Sequence, residues 1–192
     1  TIEGWVTSSA NALLQPLQPA AFSRSLPPEG LPTIDVDDSQ IFQPIEGFGF
    51  ALTGGSAYLL GTLGAEDRAY LLQELFGLTG DSVGLSCLRL SIGASDLGWR
   101  DYTYWDLPPG TEDPDLARFN LTACDPEVVP TLQQILSINP TVKIIASPWT
   151  APPWMKTNDS FVAGSLKPEC YSAYARYFVK YEEALRGNGI HI

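Results

Sequence analysis

The sequence predicts an α/β fold: the N-terminal part of a (β/α)8 barrel, about three strand–helix units and the start of strand four, preceded by strands of a β-sandwich side domain. Three observations support this prediction. From residue 46 onward, apolar runs of strand length alternate with amphipathic stretches of helix length, the pattern of a parallel sheet. Residues 1–45 are proline-rich and lack that alternation. The turn after the first barrel strand lacks the G-x-G-x-x-G spacing that usually accompanies an open, doubly wound sheet.

The composition is that of a folded, acidic domain. Of the 192 residues, 44% are hydrophobic, which is too apolar a composition for a disordered chain. The 22 acidic and 11 basic side chains give a formal charge of -11, which repels nucleic-acid backbones and anionic lipid surfaces. No apolar stretch approaches the roughly 18 to 20 residues that a membrane helix needs. We therefore expect no nucleic acid partner and no transmembrane segment.

Residues 1–45 are predicted to belong to a separate β domain. Two short runs, Ile2–Thr7 and Thr33–Val36, have β-type composition, and prolines are frequent between them. Strands this short cannot bury a face by themselves. We therefore assign residues 1–45 to an incomplete β side domain and residues 46–192 to the partial barrel.

The first predicted barrel unit begins with a strand over Gly47–Leu52, followed by a turn of small residues at 53–55. Its helix covers Ala65–Phe76, because the apolar residues there recur at three- and four-residue spacing and two acidic residues favour the first turn. Glycines after Phe76 are expected to end this helix.

The second unit begins with a strand over Val83–Ile92, in which apolar residues alternate with a face that carries Arg89. A long loop then runs to residue 123. The segment Asp125-Pro-Glu predicts a helix start, with Asp125 as the cap and the proline at the first helical position. The pair Asn139-Pro140 is expected to end this helix.

The third unit consists of an apolar strand over Val142–Ser147 and a helix over about Pro168–Arg186. Residues Ile190–Ile192 are expected to begin a fourth strand. A barrel of eight such units takes about 250 residues, so these residues alone cannot close the sheet.

Candidate functional residues follow the predicted strands. In a (β/α)8 barrel, the loops after the C-terminal ends of the strands carry the functional groups. Here these loops hold Asp96, Trp149 and Trp154. Aromatic faces beside a carboxylate suit a sugar ring, because the C–H side of the sugar stacks on the indole while its hydroxyls bind acid oxygens. The alternative is that the aromatic residues only pack the loops against the barrel.

Arg89 is the fourth candidate, because it lies inside a strand, where an unpaired guanidinium would be costly to bury. It is expected to meet carboxylates, either those of a glycosidase site or those of a structural ion pair. No cluster with metal-ligand spacing and no G-x-S-x-G elbow occurs, so we expect no metal, no cofactor and no serine nucleophile. A disulfide between Cys124 and Cys170, or two free thiols, would fit their positions equally.

Three segments resemble glycoside hydrolase family 30, the family of glucosylceramidases and endo-β-1,6-glucanases. Gln43–Ala57 looks like its first barrel strand, Leu88–Asp96 like its second and Ala146–Lys156, with the sequence Ala-Ser-Pro-Trp-Thr-Ala-Pro-Pro-Trp-Met-Lys, like its third. The third segment is highly specific, and the three occur in the family's order. The resemblance covers about Thr33 to Ile192.

The resemblance implies a retaining hydrolase in which two glutamates about 5 Å apart act as acid/base and nucleophile. It implies that Asp96 and Trp149 hold the sugar in the subsite before the scissile bond, and that Arg89 lies close to the catalytic acids. The glutamates are expected at the ends of strands four and seven. Both would then lie beyond Ile192, so no catalytic residue is assigned within the chain, which is predicted to be an inactive fragment by itself.

The resemblance also implies a β-glucoside as the substrate, either glucosylceramide or β-1,6-glucan, and the remainder of the barrel as the partner of this chain. Lysosomal-type glucosylceramidases have an aromatic residue where Leu97 stands, and Phe50–Gly55 differs from their Gly-Ala-Phe-Thr-Asp stretch. The sequence looks closer to the microbial branch. Acceptor sequons at Asn120 and Asn158 suit an exported protein, so we expect a secreted, extracellular or lysosomal location.

Two other classes of function compete with the enzyme. One is a non-catalytic carbohydrate-binding derivative that kept the aromatic rim of the barrel but lost the acids. The other, a weaker hypothesis, is an open-sheet α/β domain without a sugar ligand.

Overall fold

The computed structural model describes residues 1–8, 12–24, 29–108, 110–111, 113, 115–122 and 125–192. They form two compact units, Thr1–Pro44 and Ile45–Ile192. Within the described ranges, no helix has the length and apolar character needed to cross a membrane.

The first unit contains a two-stranded antiparallel sheet. Strand β1 is Trp5–Ser8 and strand β2 is Ala12–Pro16. A bridge between Ile2 and Ala20 extends the pairing, so the predicted β run over Ile2–Thr7 is confirmed with a later start. The strand predicted at Thr33–Val36 is wrong, because this segment lies outside any strand and two of its side chains are almost fully exposed. A β-type run forms a strand only where a neighbouring strand accepts its hydrogen bonds.

The second unit is built on a parallel sheet in which β3 (Gly49–Leu52), β4 (Cys87–Ile92) and β5 (Lys143–Pro148) follow one another in space as in sequence. All three predicted barrel strands are thus present, each starting later than expected. Strand β4 starts at Cys87 because the amides of Val83 and Leu85 instead donate to carbonyls at the end of the preceding helix.

Four α-helices occur in the described part of the second unit. They are α1 (Gly54–Thr62), α2 (Ala65–Phe76), α3 (Val128–Ile138) and α4 (Tyr171–Arg186). The sequence predicted the last three. It predicted a simple turn where α1 starts, which is wrong, because the Thr53 side chain accepts a hydrogen bond from the Ser56 amide and caps a helix there.

The predicted fourth strand is not formed, because residues 190–192 lie outside any strand. The amide of Ile190 donates to the carbonyl of Leu185 and so closes the end of α4, and the Ile190 side chain is buried. The backbone amide of Ile190 thus bonds to the end of α4 and not to a neighbouring strand.

The two faces of the parallel sheet differ. One face carries Leu88 and Leu90, which are buried beneath the helices with Leu132 and Ile135 of α3. On the opposite face, the strand register aligns Ala51, Arg89 and Ile145 in one row across the three strands. On this second face, Ile145 is 67% exposed and Arg89 is half-buried, so these two side chains are accessible in the described chain.

Gly49 fixes the distance between β3 and β4. A Cβ at this position would overlap the backbone carbonyl of Cys87, which cannot yield as a flexible side chain could. We expect Gly49→Ala to lower the free energy of unfolding of the complete protein by about 1 to 3 kcal/mol, measured by urea denaturation. The control is Gly4→Ala, where the nearest atom is the tip of the Leu17 side chain at 3.4 Å. Equal stability of the two variants would contradict this close strand approach.

Candidate functional site

The candidate site lies at one edge of the parallel sheet. Strands β4 and β5 run in the same direction, so the loops that follow Ile92 and Pro148 start side by side. These are the loops that the sequence singled out for their aromatic and acidic side chains. The long loop after β4 folds back on its own start, because the amide of Ala94 donates to the carbonyl of Tyr102.

Asp96 and Trp149 meet at this edge. The indole Nε1–H of Trp149 donates to the Asp96 carboxylate over 3.1 Å. A turn presents the carboxylate, since the amide of Gly98 and that of Leu97 donate to the carbonyl and the hydroxyl of Ser95. Asp96 is exposed and Trp149 is half-buried, so a ligand can reach both groups. The structure therefore brings two of the four predicted residues together as one carboxylate–indole pair.

Arg89 lies within β4, on the second face of the sheet, in register with Ala51 and Ile145. Its Nε and one terminal nitrogen donate to the hydroxyl of Ser147, over 2.9 and 2.7 Å. Among the described residues, no carboxylate forms an ion pair with it. The expected carboxylate contact is thus not made within the described chain, because Arg89 is only half-buried and its guanidinium is not forced to pair.

Trp154 lies in a different environment from Asp96 and Trp149. Its indole N–H donates to the backbone carbonyl of Trp105 over 3.1 Å, and the two indoles pack edge to face with centroids 4.8 Å apart. Its outer side lines a cleft of about 700 Å³ that also contains Lys167. No described hydrogen bond or ring contact joins Trp154 to the carboxylate–indole pair.

Lys156 is the residue whose role sequence reasoning missed. Its side chain is nearly buried, with 6% of the residue exposed, and its ammonium donates to the Thr150 hydroxyl over 3.0 Å and to the Phe161 carbonyl over 2.9 Å. Burial lowers the pKa of this amine. The two bonds tie together the ends of the loop that follows Trp149. The lysine stood in the aromatic segment, but nothing in its spacing indicated that it points inward.

A buried carboxylate anchors the long loop after β4. Asp125 was predicted to cap α3, but that prediction is wrong, because α3 begins at Val128 and the Asp125 carboxylate instead accepts hydrogen bonds from the hydroxyls of Tyr102 and Tyr104. The Tyr104 ring also stacks on Tyr181 of α4, with centroids 5.7 Å apart. The stacking connects the loop to α4, and the hydrogen bonds to Asp125 connect it to the segment before α3.

Burial and neighbouring groups shift the pKa values of Asp125 and Tyr104. Burial raises the pKa of the Asp125 carboxyl, and the hydrogen bonds from the two tyrosines oppose that shift. Burial, together with the negative charge of Asp125, raises the pKa of Tyr104 well above its usual value. At neutral pH the Tyr104 hydroxyl therefore remains a protonated donor.

Two further predictions concern metals and disulfides. In the ranges that the structure describes, no three His, Cys, Asp or Glu side chains are arranged to hold a metal ion. Cys170 is buried at the start of α4. Cys124 lies outside the described residues, so the disulfide between these two residues stays a prediction.

Comparison with known protein families gives a match that covers most of the chain. Residues 45–192 match the model of the glycosyl hydrolase family 30 TIM-barrel domain. This match confirms the predicted barrel and contradicts the open-sheet alternative. The match does not extend to the first unit, so the β-sandwich prediction for that unit stays a prediction.

Individual relatives have two different activities in their names. An endo-1,6-β-D-glucanase of Trichoderma harzianum is 35% identical over 173 residues, covering 83% of this chain and 35% of that protein. The lysosomal acid glucosylceramidase of Mus musculus is 32% identical over 156 residues, covering 78% of this chain and 29% of that protein. A solved endo-β1,6-glucanase structure matches with a TM-score of 0.73 and 38% identity, covering 81% of this chain and 35% of that chain. The chain spans about a third of the length of these proteins.

Proposed function

Because the chain belongs to glycosyl hydrolase family 30, we propose that it supplies the sugar-binding rim of a retaining glycoside hydrolase acting on β-glucosidic bonds. The observation that carries this proposal is the exposed pair of Asp96 and Trp149, two side chains 53 residues apart joined by a hydrogen bond at the edge of the sheet. An indole face and a carboxylate in contact can bind the C–H face and the hydroxyls of one sugar ring together.

The assigned roles follow from the chemistry of each group. The Asp96 carboxylate accepts hydrogen bonds from sugar hydroxyls, and Trp149 stacks on the ring while its N–H orients that carboxylate. Arg89 contributes positive charge on the second face of the sheet, where the carboxylates of a retaining pair would find a partner. Trp154 is proposed to contact the substrate as well, through the side that lines the cleft with Lys167. The two catalytic glutamates are expected outside residues 1–192, so these residues alone are expected to have no hydrolase activity.

We propose a β-linked glucose polymer or a glucosyl lipid as the substrate class. The similarity to endo-1,6-β-glucanases supports β-1,6-glucan, and the similarity to glucosylceramidases supports glucosylceramide and a role in sphingolipid metabolism. Both groups of relatives are consistent with a secreted or lysosomal location. A direct test is to compare kcat/KM of the complete protein for linear β-1,6-glucan and for glucosylceramide in detergent micelles.

The sugar-binding pair is tested by substitution in the complete protein. We expect Trp149→Ala to weaken transition-state or ligand binding by about 1 to 3 kcal/mol, which is roughly 5- to 150-fold in kcat/KM or in the dissociation constant. Trp149→Phe keeps a stacking face but loses the N–H, so its loss should be smaller. Asp96→Asn should reduce binding as well, because it removes the charge from the acceptor.

The outcomes of these experiments distinguish an enzyme from a non-catalytic carbohydrate-binding protein. Unchanged KM and turnover in Trp149→Ala would reject the assigned role of the pair. A complete protein that binds β-glucosides but hydrolyses none of them would instead favour the non-catalytic carbohydrate-binding derivative. An asparagine–glutamate pair within a few residues of Ile192 in the complete protein would support the enzyme.

A further inference from the structure

A second cleft lies on the loop that carries Asp96, but outside the carboxylate–indole pair. Its volume is about 380 Å³, and neither Asp96 nor Trp149 lines it. It is formed by the first turns of α1, by the turn that follows Asp96 and by the residues before α3. The lining residues are Gly54, Tyr58, Trp99, Asp125, Pro126 and Glu127.

The walls of the cleft are exposed aromatic side chains. Trp99 is 63% exposed and Tyr58 is 56% exposed, although both belong to a residue class that usually loses much of its surface on folding. The guanidinium of Arg100 lies over the Trp99 ring, 4.5 Å from its centroid, and also 5.6 Å from that of Tyr102. Such cation–π contacts restrain the indole while leaving surface available for a ligand.

The polar groups of the cleft are acceptors. The buried Asp125 carboxylate lines the cleft beside Gly54, where a Cβ would overlap its Oδ1. The Glu127 carboxylate lies at the edge, partly exposed and 3.7 Å from a guanidinium nitrogen of Arg68. The described lining residues include two carboxylates and no basic side chain. The two lining carboxylates disfavour a phosphate or another anion, because Arg68 is paired with Glu127 and Arg100 is held against the Trp99 ring. An acyl chain would have to desolvate Glu127.

A neutral ligand with an apolar face and hydroxyl donors at its edge fits both the aromatic walls and the acceptors. A pyranose ring has this chemistry. Trp99 follows Asp96 by three residues, so their Cα atoms are at most about 11 Å apart, a distance that a short oligosaccharide can span.

We propose that the cleft between Tyr58 and Trp99 is a second sugar subsite, which binds another ring of a β-linked glucose chain whose first ring contacts Asp96 and Trp149. This inference rests on the proposed function for the position of the first ring. It extends that function by selecting an oligosaccharide, rather than a single glucosyl headgroup, as the ligand.

The test compares Trp99→Ala with the unchanged complete protein in binding to β-1,6-linked gluco-oligosaccharides of two and of five units. We expect the dissociation constant for the longer ligand, measured by calorimetry, to rise roughly 5- to 50-fold relative to that for the disaccharide. Tyr58→Ala should act in the same direction, and Tyr58→Phe less. The matched control is Trp5→Ala, which removes an indole of similar exposure, 59%, from the other unit.

The NMR signal of the Trp99 indole reports binding at the cleft directly and does not depend on catalysis. We expect the indole N–H resonance of Trp99 to shift on titration with the longer oligosaccharide and to shift less with the disaccharide. An unchanged ratio of the two dissociation constants in Trp99→Ala would overturn the proposal, as would an unmoved Trp99 resonance. A loss confined to long-chain glucosylceramide would also overturn it, in favour of a lipid site. Failure of the proposed function would be recognised separately, by normal kinetics in Trp149→Ala.

Discussion

Replacement of Trp105 by alanine is expected to lower the free energy of unfolding of the complete protein by about 3 to 5 kcal/mol, the range for deleting a buried aromatic side chain. Trp105 has no exposed surface. Its ring stacks on Tyr177 of α4 at 6.3 Å and meets Trp154 edge to face, and its N–H donates to Asp113 over 2.9 Å. The variant would leave a cavity where the long loop, the aromatic segment and α4 pack together.

Two further variants test whether the stability lost in Trp105→Ala comes from deleting a buried ring. Trp105→Phe keeps most of the ring volume and should lose less stability, because it sacrifices mainly the hydrogen bond to Asp113. Trp5→Ala removes an exposed indole and should change stability by less than about 0.5 kcal/mol. Urea denaturation followed by circular dichroism measures all three. A loss below about 1 kcal/mol in Trp105→Ala would mean that the loop does not depend on this packing.

Replacement of Asp125 by alanine has the second largest expected effect, a loss of about 2 to 4 kcal/mol. The carboxylate is the shared acceptor for Tyr102 and Tyr104, and Tyr104 is only 3% exposed. Without the acceptor, a buried hydroxyl loses its hydrogen bond in an environment from which water is excluded. The variant Asp125→Asn retains one carbonyl acceptor and should lose less. Chemical denaturation at pH 7 compares the two.

The same pair of variants tests the acidity of Asp125. Burial raises the folded-state pKa of this carboxyl above the value of about 3.9 that it has in an unfolded chain. Between these two values the folded state keeps the proton while the unfolded state releases it. The part of the stability that comes from this raised pKa is therefore full below about pH 4 and is lost as the pH rises through the folded-state pKa, whereas the hydrogen bonds from the two tyrosines persist. Relative to Asp125→Asn, the unchanged protein should lose stability over that interval. A difference that grows with pH would contradict the raised pKa.

The fold was predictable wherever local pattern and tertiary environment agree. The three parallel strands are rich in apolar residues, and helices α2 and α4 carry apolar residues at helical spacing, so each element places apolar side chains in the core. Helix α1 was missed because Gly54 and Gly55 are poor helix formers, and only the cap at Thr53 reveals its start. The strand predicted at Thr33–Val36 failed for the opposite reason, since its composition favours a strand but no strand in the described ranges pairs with it.

The candidate site could also be predicted only in part. The meeting of Asp96 and Trp149 was predictable, because adjacent parallel strands bring the loops after their ends together. The position of Trp154 was not, because it depends on the Trp105 carbonyl 49 residues earlier, within a loop without periodicity. The role of Asp125 was misassigned because a carboxylate before a helix resembles a cap, whereas two distant tyrosines bind it here.

The Lys156 contacts have a thermodynamic consequence for recognition. The ammonium holds Thr150 and Phe161 together, which fixes the shape of the segment that follows Trp149. A sugar that docks on the indole would then order few additional side chains, and little conformational entropy would oppose its association. The rim would act as a rigid template, and selectivity among sugars would depend on how well each ring matches a shape that is set in advance.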